Sequence, residues 1–402
     1  MNDINHPPLT QALTSTPAQA WKNWLAVVVL GISSFSIVTT ELAPIGLLSP
    51  LANEFRLSTG TAGLIVTAYA WIAAIAALLS ATLLSRVPRE SLLIALMTVL
   101  ALSSFIAAEA TAFSTLLIAR MAGALAHGAF WAMIGTVGAQ LVPPARIGLA
   151  TSIIFGGVSA ASVAGVPLAN LLAQSAGWRT AFIAVSALSL IAAGALMLTL
   201  PRLPTSTSPG WRALADILRN RAFLLIYATT ACAITAHFAA FTYIEPLLSG
   251  ALHIRPALVS TLLLVFGVAG ILGNVISGKL IDRQLKPLVL VALLLMAGSV
   301  LATGLLSDRA SALSASALLL GWGIGVAIIF VGFQSWILRL AGAAAMPASA
   351  IYVAIFNAAI GAGALVGGAI LSVSSLSGLM IMVSAALIIS LLAVMLIKAP
   401  QQ

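Results

Sequence analysis

Apolar runs of about 20 residues recur along this chain between short polar or Gly/Pro-rich breaks, and each is long enough to cross the hydrocarbon core of a bilayer. Read in order, they predict spans at 24–48, 60–84, 91–108, 113–138, 147–172 and 180–200, then at 222–246, 258–281, 286–306, 311–338, 347–372 and 375–397. Hydrophobic residues make up 61% of the 402 residues and charged ones only 7%, too little charge to cover a soluble domain. The expected fold is therefore all-α, an integral membrane protein with 12 transmembrane helices.

The longest internal break is PRLPTSTSPGWRALADILRNRAF, residues 201–223. A Pro/Ser/Thr segment followed by a basic, amphipathic piece reads as a linker lying at the membrane surface. It divides the spans six and six. The predicted organisation is a polar tail at 1–23, a six-helix bundle at 24–200, a linker at 201–222 and a second six-helix bundle at 223–402. Both halves carry a carboxylate near the outer end of their first span, Glu41 and Glu245. Each is followed by proline (Pro44, Pro246) and by Leu-Leu-Ser. Two related halves with a site at their interface is a transporter plan.

The net charge of +9 invites a nucleic-acid reading, but the basic residues are not scattered. With the termini on one side, thirteen Lys/Arg fall on that side and four on the other (Arg56, Arg179, Arg255 and Arg309); Arg120 lies inside a span. That bias orients the chain with both termini cytoplasmic and makes nucleic acid an unneeded partner. The lone cysteine, Cys232, permits no intramolecular disulfide, and the four histidines lack metal-ligand spacing, so no metal is expected. Residues 1–20 lack the apolar core of a cleavable signal peptide, so the first span is expected to serve as its own insertion signal.

Ionisable side chains are costly at membrane depth and face a wet cavity or a partner. Span 1 carries Glu41, span 4 Arg120 and His127, and span 7 His237 and Glu245, whereas spans 3, 6, 9 and 12 have none in their interiors and can face lipid. At 1.5 Å per residue, Glu41 lies about 25 Å along its span and Arg120 about 10 Å from the outer end of the antiparallel span 4, close enough in depth to pair. His127 and His237 fall near the midplane, one from each half. Tyr69, Trp71, Phe130, Trp131 and Tyr243, with Asn274, Gln334 and Asn357, suit a sugar, an aromatic drug or plain helix packing. The glycine runs at 267–278, 321–325 and 361–368 read as close helix packing. No clustered nucleophile, acid–base pair or metal set is present that an intramembrane enzyme would need.

Several stretches resemble the major facilitator superfamily. GKLIDRQLK (278–286) is similar to that family's loop signature between spans 8 and 9, with Leu285 where the signature has glycine. The first-half copy, SATLLSRVPRE (80–90), lacks the aspartate and leaves Arg89 as its match. The resemblance implies that Asp282, Arg283 and Arg89 latch neighbouring helices during a conformational cycle. RMAGALAHG (120–128) looks like the span 4 motif linked in the family to proton coupling, and implies that role for Arg120 with Glu41 and His127. GGVSAASVAGVPLAN (156–170) resembles the span 5 motif of exporters, with Gly156, Gly165 and Pro167 in register and Val166 between the glycine and proline.

Within the superfamily, TTELAPIGLLS (39–49), AHGAFW (126–131), AHFAAFTYIEP (236–246) and FNAAIGAGALVGG (356–368) resemble bacterial sugar-efflux transporters of the SotB type. What this implies is proton-coupled export of sugars or related small solutes by alternating access, from a monomer in the bacterial inner membrane. The proton gradient would be the driving force, with no cofactor. The resemblance puts Glu41, His127, His237, Tyr243, Glu245 and Asn357 at or near the central cavity, and the aromatics Tyr69 and Trp131 are the further substrate-binding candidates. Multidrug or purine nucleoside efflux is the alternative.

Overall fold

Eleven helices are long and apolar enough to cross a membrane in the computed structural model, which describes residues 17–84, 87–143, 146–203, 211–306, 311–341 and 344–397. One of them, Pro256–Leu305, has 50 residues. At 1.5 Å per residue it would reach about 75 Å, more than twice a bilayer core. Its backbone leaves helical geometry at Gln284 (φ −135°, ψ 41°). Pro287 explains the position: it lacks an amide proton and its ring crowds the carbonyl four residues back, at Arg283. The long element is thus two spans folded at a break, and the described spans number twelve. The loop expected between spans 8 and 9 is a helical turn instead.

The membrane helices are numbered here α1 (Pro17–Leu42), α2 (Leu64–Leu83), α3 (Arg89–Ala108), α4 (Phe113–Leu141), α5 (Ile147–Ala176) and α6 (Trp178–Thr199) in the first half. The second half holds α7 (Arg221–Phe241), α8 (256–283), α9 (285–305), α10 (Ala312–Ala341), α11 (Ala345–Leu371) and α12 (Leu376–Leu396). Helix α1 begins inside the stretch expected to be a tail. In the first half α1 packs on α5 and α6, and α4 on α2 and α3; in the second α7 packs on α11 and α12, and the α8–α9 element on α10. The halves meet where α2 lies on α11 and α5 on α8.

Both bundles turn apolar side chains outward, as a lipid-facing surface requires. Phe105 on α3, Ile191 on α6, Val291 on α9 and Ile389 on α12 are exposed, in agreement with the charge-free character of those four spans. Within the linker, Trp211–Arg219 forms a short helix that packs on α7 and α11, burying Ile217 and leaving Arg219 exposed. The rest of the linker from 204 to 210, and the basic positions Arg86, Arg309 and Lys398, lie outside the described residues.

Candidate functional site

The first-half cluster is assembled by a missing hydrogen bond. Pro44 has no N–H to give to Thr40, four residues earlier, so α1 ends at Leu42 and passes into a tight 3₁₀ stretch, Ala43–Leu47. The carbonyl left open at Thr40 is taken by Arg120 of α4, whose Nη2 donates to it at 2.7 Å. The guanidinium lies 4.1 Å above the Tyr69 ring of α2 and 5.7 Å from the Phe182 ring of α6. Beside it Glu41 Oε2 stands 3.8 Å from His127 Nε2, an ion-pair distance rather than a hydrogen bond. Tyr69 meets His127 edge to face at 5.4 Å, and Trp131, one turn along α4, lies 6.2 Å from the same imidazole.

Glu41, Tyr69, Arg120, His127 and Trp131 therefore come together in the first half, brought there by three helices, α1, α2 and α4. The direct Glu41–Arg120 pair that their depths allowed is not formed. Arg120 bonds the backbone next to Glu41, and the nearest charge partner of Glu41 is His127. Among the described residues, Glu41 Oε1, Arg120 Nε and Nη1 and Tyr69 Oη are buried without a hydrogen-bond partner. Unpaired buried groups cost about 1–3 kcal/mol each, which water, a proton or a solute would offset.

His237 occupies a different environment in the second half. Its ring stacks on Phe241 at 5.1 Å and meets Phe238, Phe330 and Trp322 edge on, and Trp322 Nε1 donates to its Nδ1 at 3.1 Å. It lines a cavity of about 260 Å³ between α5, α7, α8 and α10, with Ser159, Ser162, Asn274, Phe266 and Phe330. Val163 and Gly267 touch at one edge of this cavity, where an added Cβ on Gly267 would collide with the Val163 backbone. Apart from Phe266, the remaining α5 and α8 residues of the wall lie toward the end where α1 begins and α12 ends. Asn357 of α11 is buried and donates to Val353 O at 2.9 Å, with Oδ1 unpaired. Gln334 donates to Ser349 Oγ at 3.0 Å.

Tyr243 and Glu245 do not join His237. They sit at the distal end, opposite the start of α1 and the end of α12, where the halves close on each other. Glu245 lies on a short turn after α7, and its Oε2 accepts from the Ser49 amide at 3.0 Å across the interface, while Ser249 Oγ donates to Oε1 at 3.2 Å. Ser49 is the second residue of the helix Leu48–Glu54, whose first amides have no acceptor within the helix. Tyr243 donates to Ala364 O at 2.7 Å, and its ring and hydroxyl fill the space left by Gly63, Gly367 and Gly368, so glycine at those positions is the condition for the fit. Asn170 of α5 donates to Gly46 O, three residues before Ser49, at 2.8 Å and accepts from Ser260 of α8 at 2.7 Å. Gln174 donates to Asn170 Oδ1 at 2.6 Å and to Pro256 O at 2.9 Å. Nearer the middle, Trp71 Nε1 donates to Ala358 O at 3.1 Å, joining α2 to α11.

The expected latch residues divide. Asp282 pairs with Arg339 at the end of α10 at 2.8 Å, and Arg339 also donates to the Ile281 carbonyl at 3.1 Å, so this cation ties α8 to α10. Arg283 points to solvent, and Arg89 is buried at the start of α3. An added Cβ on Gly165 would lie 3.1 Å from Thr39 Oγ1, so α5 approaches α1 closely there, two residues before Pro167, which α5 runs through. Arg339, Trp322, Asn170 and Gln174 escape sequence reasoning. Arg339 reads as one more orienting cation and Trp322 as packing; the two amides belong to a span with no charge to mark it.

A family model described as Major Facilitator Superfamily matches residues 24–347. Among solved structures, the chain is similar to a bacterial homologue of the human lysosomal transporter Spinster, described as inward-facing and unoccupied. The TM-score is 0.70 at 15% identity, with 95% of this chain and 96% of that one covered. It is also similar to the human organic anion transporter MFSD10 (TETRAN), with a TM-score of 0.67 at 16% identity and 94% and 100% coverage.

Proposed function

The chain belongs to the major facilitator superfamily and is a membrane-embedded secondary transporter of small solutes, and we propose that it exports sugars or related small solutes from the cytoplasm by proton antiport. The observation that carries the coupling is the buried first-half cluster, a carboxylate at membrane depth set 3.8 Å from an imidazole with a guanidinium bonded to the adjacent carbonyl. Glu41 is the proton site, Arg120 holds the end of α1 in place and biases the charge beside it, and His127 is the exchange partner. Motion of α1 against α4 alters all three contacts together, which is how a proton event reaches the fold.

With both termini cytoplasmic, as the Lys/Arg bias orients them, the closed distal end is the outer one. The cavity by His237 then lies on the cytoplasmic side of the Val163–Gly267 contact. An exporter loads in that state and discharges after the distal contacts part. The Spinster homologue is described in an inward-facing, unoccupied state, a like arrangement. Asp282 and Arg339 steady α8 and α10 during the exchange, and the chain acts as a monomer in a bacterial inner membrane.

The sugar assignment rests on the four SotB-like stretches. A second reading, efflux of drugs or purine nucleosides, is favoured by the cavity wall, where Phe238, Phe241, Phe266 and Phe330 supply flat apolar faces beside the hydrogen-bonding side chains of Ser159, Ser162, His237 and Asn274. Inverted vesicles with an imposed proton gradient separate these readings when given labelled arabinose, a lactose analogue, a purine nucleoside and a cationic dye in parallel. Sugar movement that an uncoupler abolishes supports the first; movement of the nucleoside or dye alone replaces it with the second. Glu41→Gln is expected to insert normally and to lose gradient-driven transport. Full gradient-driven transport by that variant would overturn Glu41 as the proton site.

A further inference from the structure

Trp322 and His237 form a pair whose chemistry fixes what the cavity can recognise. The indole N–H is a donor only, so an imidazole that receives it at Nδ1 must hold a lone pair there. The ring proton then sits on Nε2, and the imidazole is the uncharged Nε2–H tautomer. Among the described residues the hydrogen bond of the ring is the one at Nδ1, and the ring lines the 260 Å³ cavity. The ring has little freedom to present its other edge, because Phe238, Phe241, Phe266 and Phe330 surround it within 6.4 Å. Those four neighbours and Trp322 carry no charge, and Ser159, Ser162 and Asn274 across the cavity are neutral.

We propose that Trp322 is a positioning residue that locks His237 as a fixed hydrogen-bond donor, so that the transporter selects solutes offering an acceptor beside a flat or apolar ring face. On this assignment His237 recognises substrate and does not carry the coupled proton, because protonating Nδ1 would set two N–H groups against each other. The two histidines that look alike in the sequence thus divide the work: His127 stands beside a carboxylate and His237 beside an indole. The proposal rests on the transport reading for its functional half only.

The tautomer can be read without any ligand. In the full chain labelled with ¹⁵N-histidine and held in lipid nanodiscs, His237 (assigned by its loss in His237→Gln) is expected to show an unprotonated Nδ1 and a protonated Nε2 from pH 8 to pH 6. Trp322→Phe is expected to give a mixture of tautomers. An Nδ1–H tautomer or an imidazolium in the unmodified protein would overturn the proposal. In vesicles, with labelled arabinose and inosine as probes, Trp322→Phe is expected to raise KM about five- to tenfold, the worth of one hydrogen bond, with little change in the maximal rate. His237→Gln, which keeps an N–H donor, is expected to transport better than His237→Leu. Equal transport by the Gln and Leu variants would refute the recognition role. If unmodified vesicles move neither probe under a proton gradient, the exporter reading fails, and the nitrogen spectra still decide the lock.

Discussion

Glu245 shows how a single side chain can hold two half-molecules together. Its carboxylate caps the Ser49 amide, one of the first in a short helix of the opposite half, so the contact exists only while the distal end is closed. Glu245→Ala leaves that half-buried donor without its acceptor, a loss of at most about 1–3 kcal/mol in the closed state. The variant should therefore exchange amide hydrogen faster across residues 48–54, measured by mass spectrometry in detergent or nanodiscs. Glu245→Gln keeps an accepting oxygen and should stay near the unmodified rate. Equal protection in all three proteins would remove Glu245 from the seal. The carboxylates and histidines were legible in the sequence as costly groups needing partners, but their partners were not. Glu41 and Arg120 share a depth, yet the arginine goes to a carbonyl freed by Pro44, and only backbone geometry reveals that vacancy. Tyr243 reads as a cavity aromatic and is instead a wedge seated among glycines, because its place depends on α2 and α11 meeting beside it.

At the scale of helices, close approach and end-capping decide which substitutions matter. Gly156 and Gly157 are adjacent on α5, but an added Cβ at Gly156 meets nothing within 4 Å, whereas at Gly157 it would run into the Gly31 carbonyl of α1. Gly156→Ala should leave thermal stability unchanged or slightly raised, by up to about 1 kcal/mol from lower backbone entropy. Gly157→Ala should lower it by about 1–3 kcal/mol through overpacking, seen as an earlier midpoint in tryptophan-fluorescence melting. The same measurement distinguishes the two members of the α8–α10 latch. Asp282 is largely exposed, so Asp282→Asn removes a screened pair worth at most about 1 kcal/mol. Arg339→Ala also uncovers the carbonyls of Ile281 and Asp282 at the end of α8 and should shift the midpoint further. Identical shifts would mean that the ion pair, not the carbonyl contacts, is what Arg339 supplies. Span number and the lipid-facing set were readable because hydropathy and charge report solvent directly. The turn between α8 and α9 was not, since a helix folded at Gln284 and a short loop carry the same apolar pattern on either side of Pro287.

For the whole molecule, the six-and-six division was visible from the linker and from the matched Glu/Pro/Leu-Leu-Ser stretches, but how the halves meet was not. Asn170, Gln174 and Ser260, which join the halves, are neutral residues of no distinctive spacing. These three and the Glu245–Ser49 bond join the halves at the distal end around the stretch 46–49, so a rocking motion that opens that end must break both. A covalent bridge at one of these contacts tests this directly. Asn170→Cys with Ser260→Cys, in a chain whose Cys232 is replaced by serine, joins residues whose side chains already touch, Asn170 Oδ1 accepting from Ser260 Oγ at 2.7 Å. Oxidation in vesicles should stop transport of whichever probe the unmodified protein carries, and reduction should restore it. The single-cysteine variants should respond to neither treatment. Because the bridge lies on the far side of the Val163–Gly267 contact from the cavity, substrate binding from the open side should persist while turnover is lost. Retained binding with blocked turnover is the signature of a gate. Transport that continues after complete cross-linking would mean that solute leaves by a route other than the parting of α5 from α8.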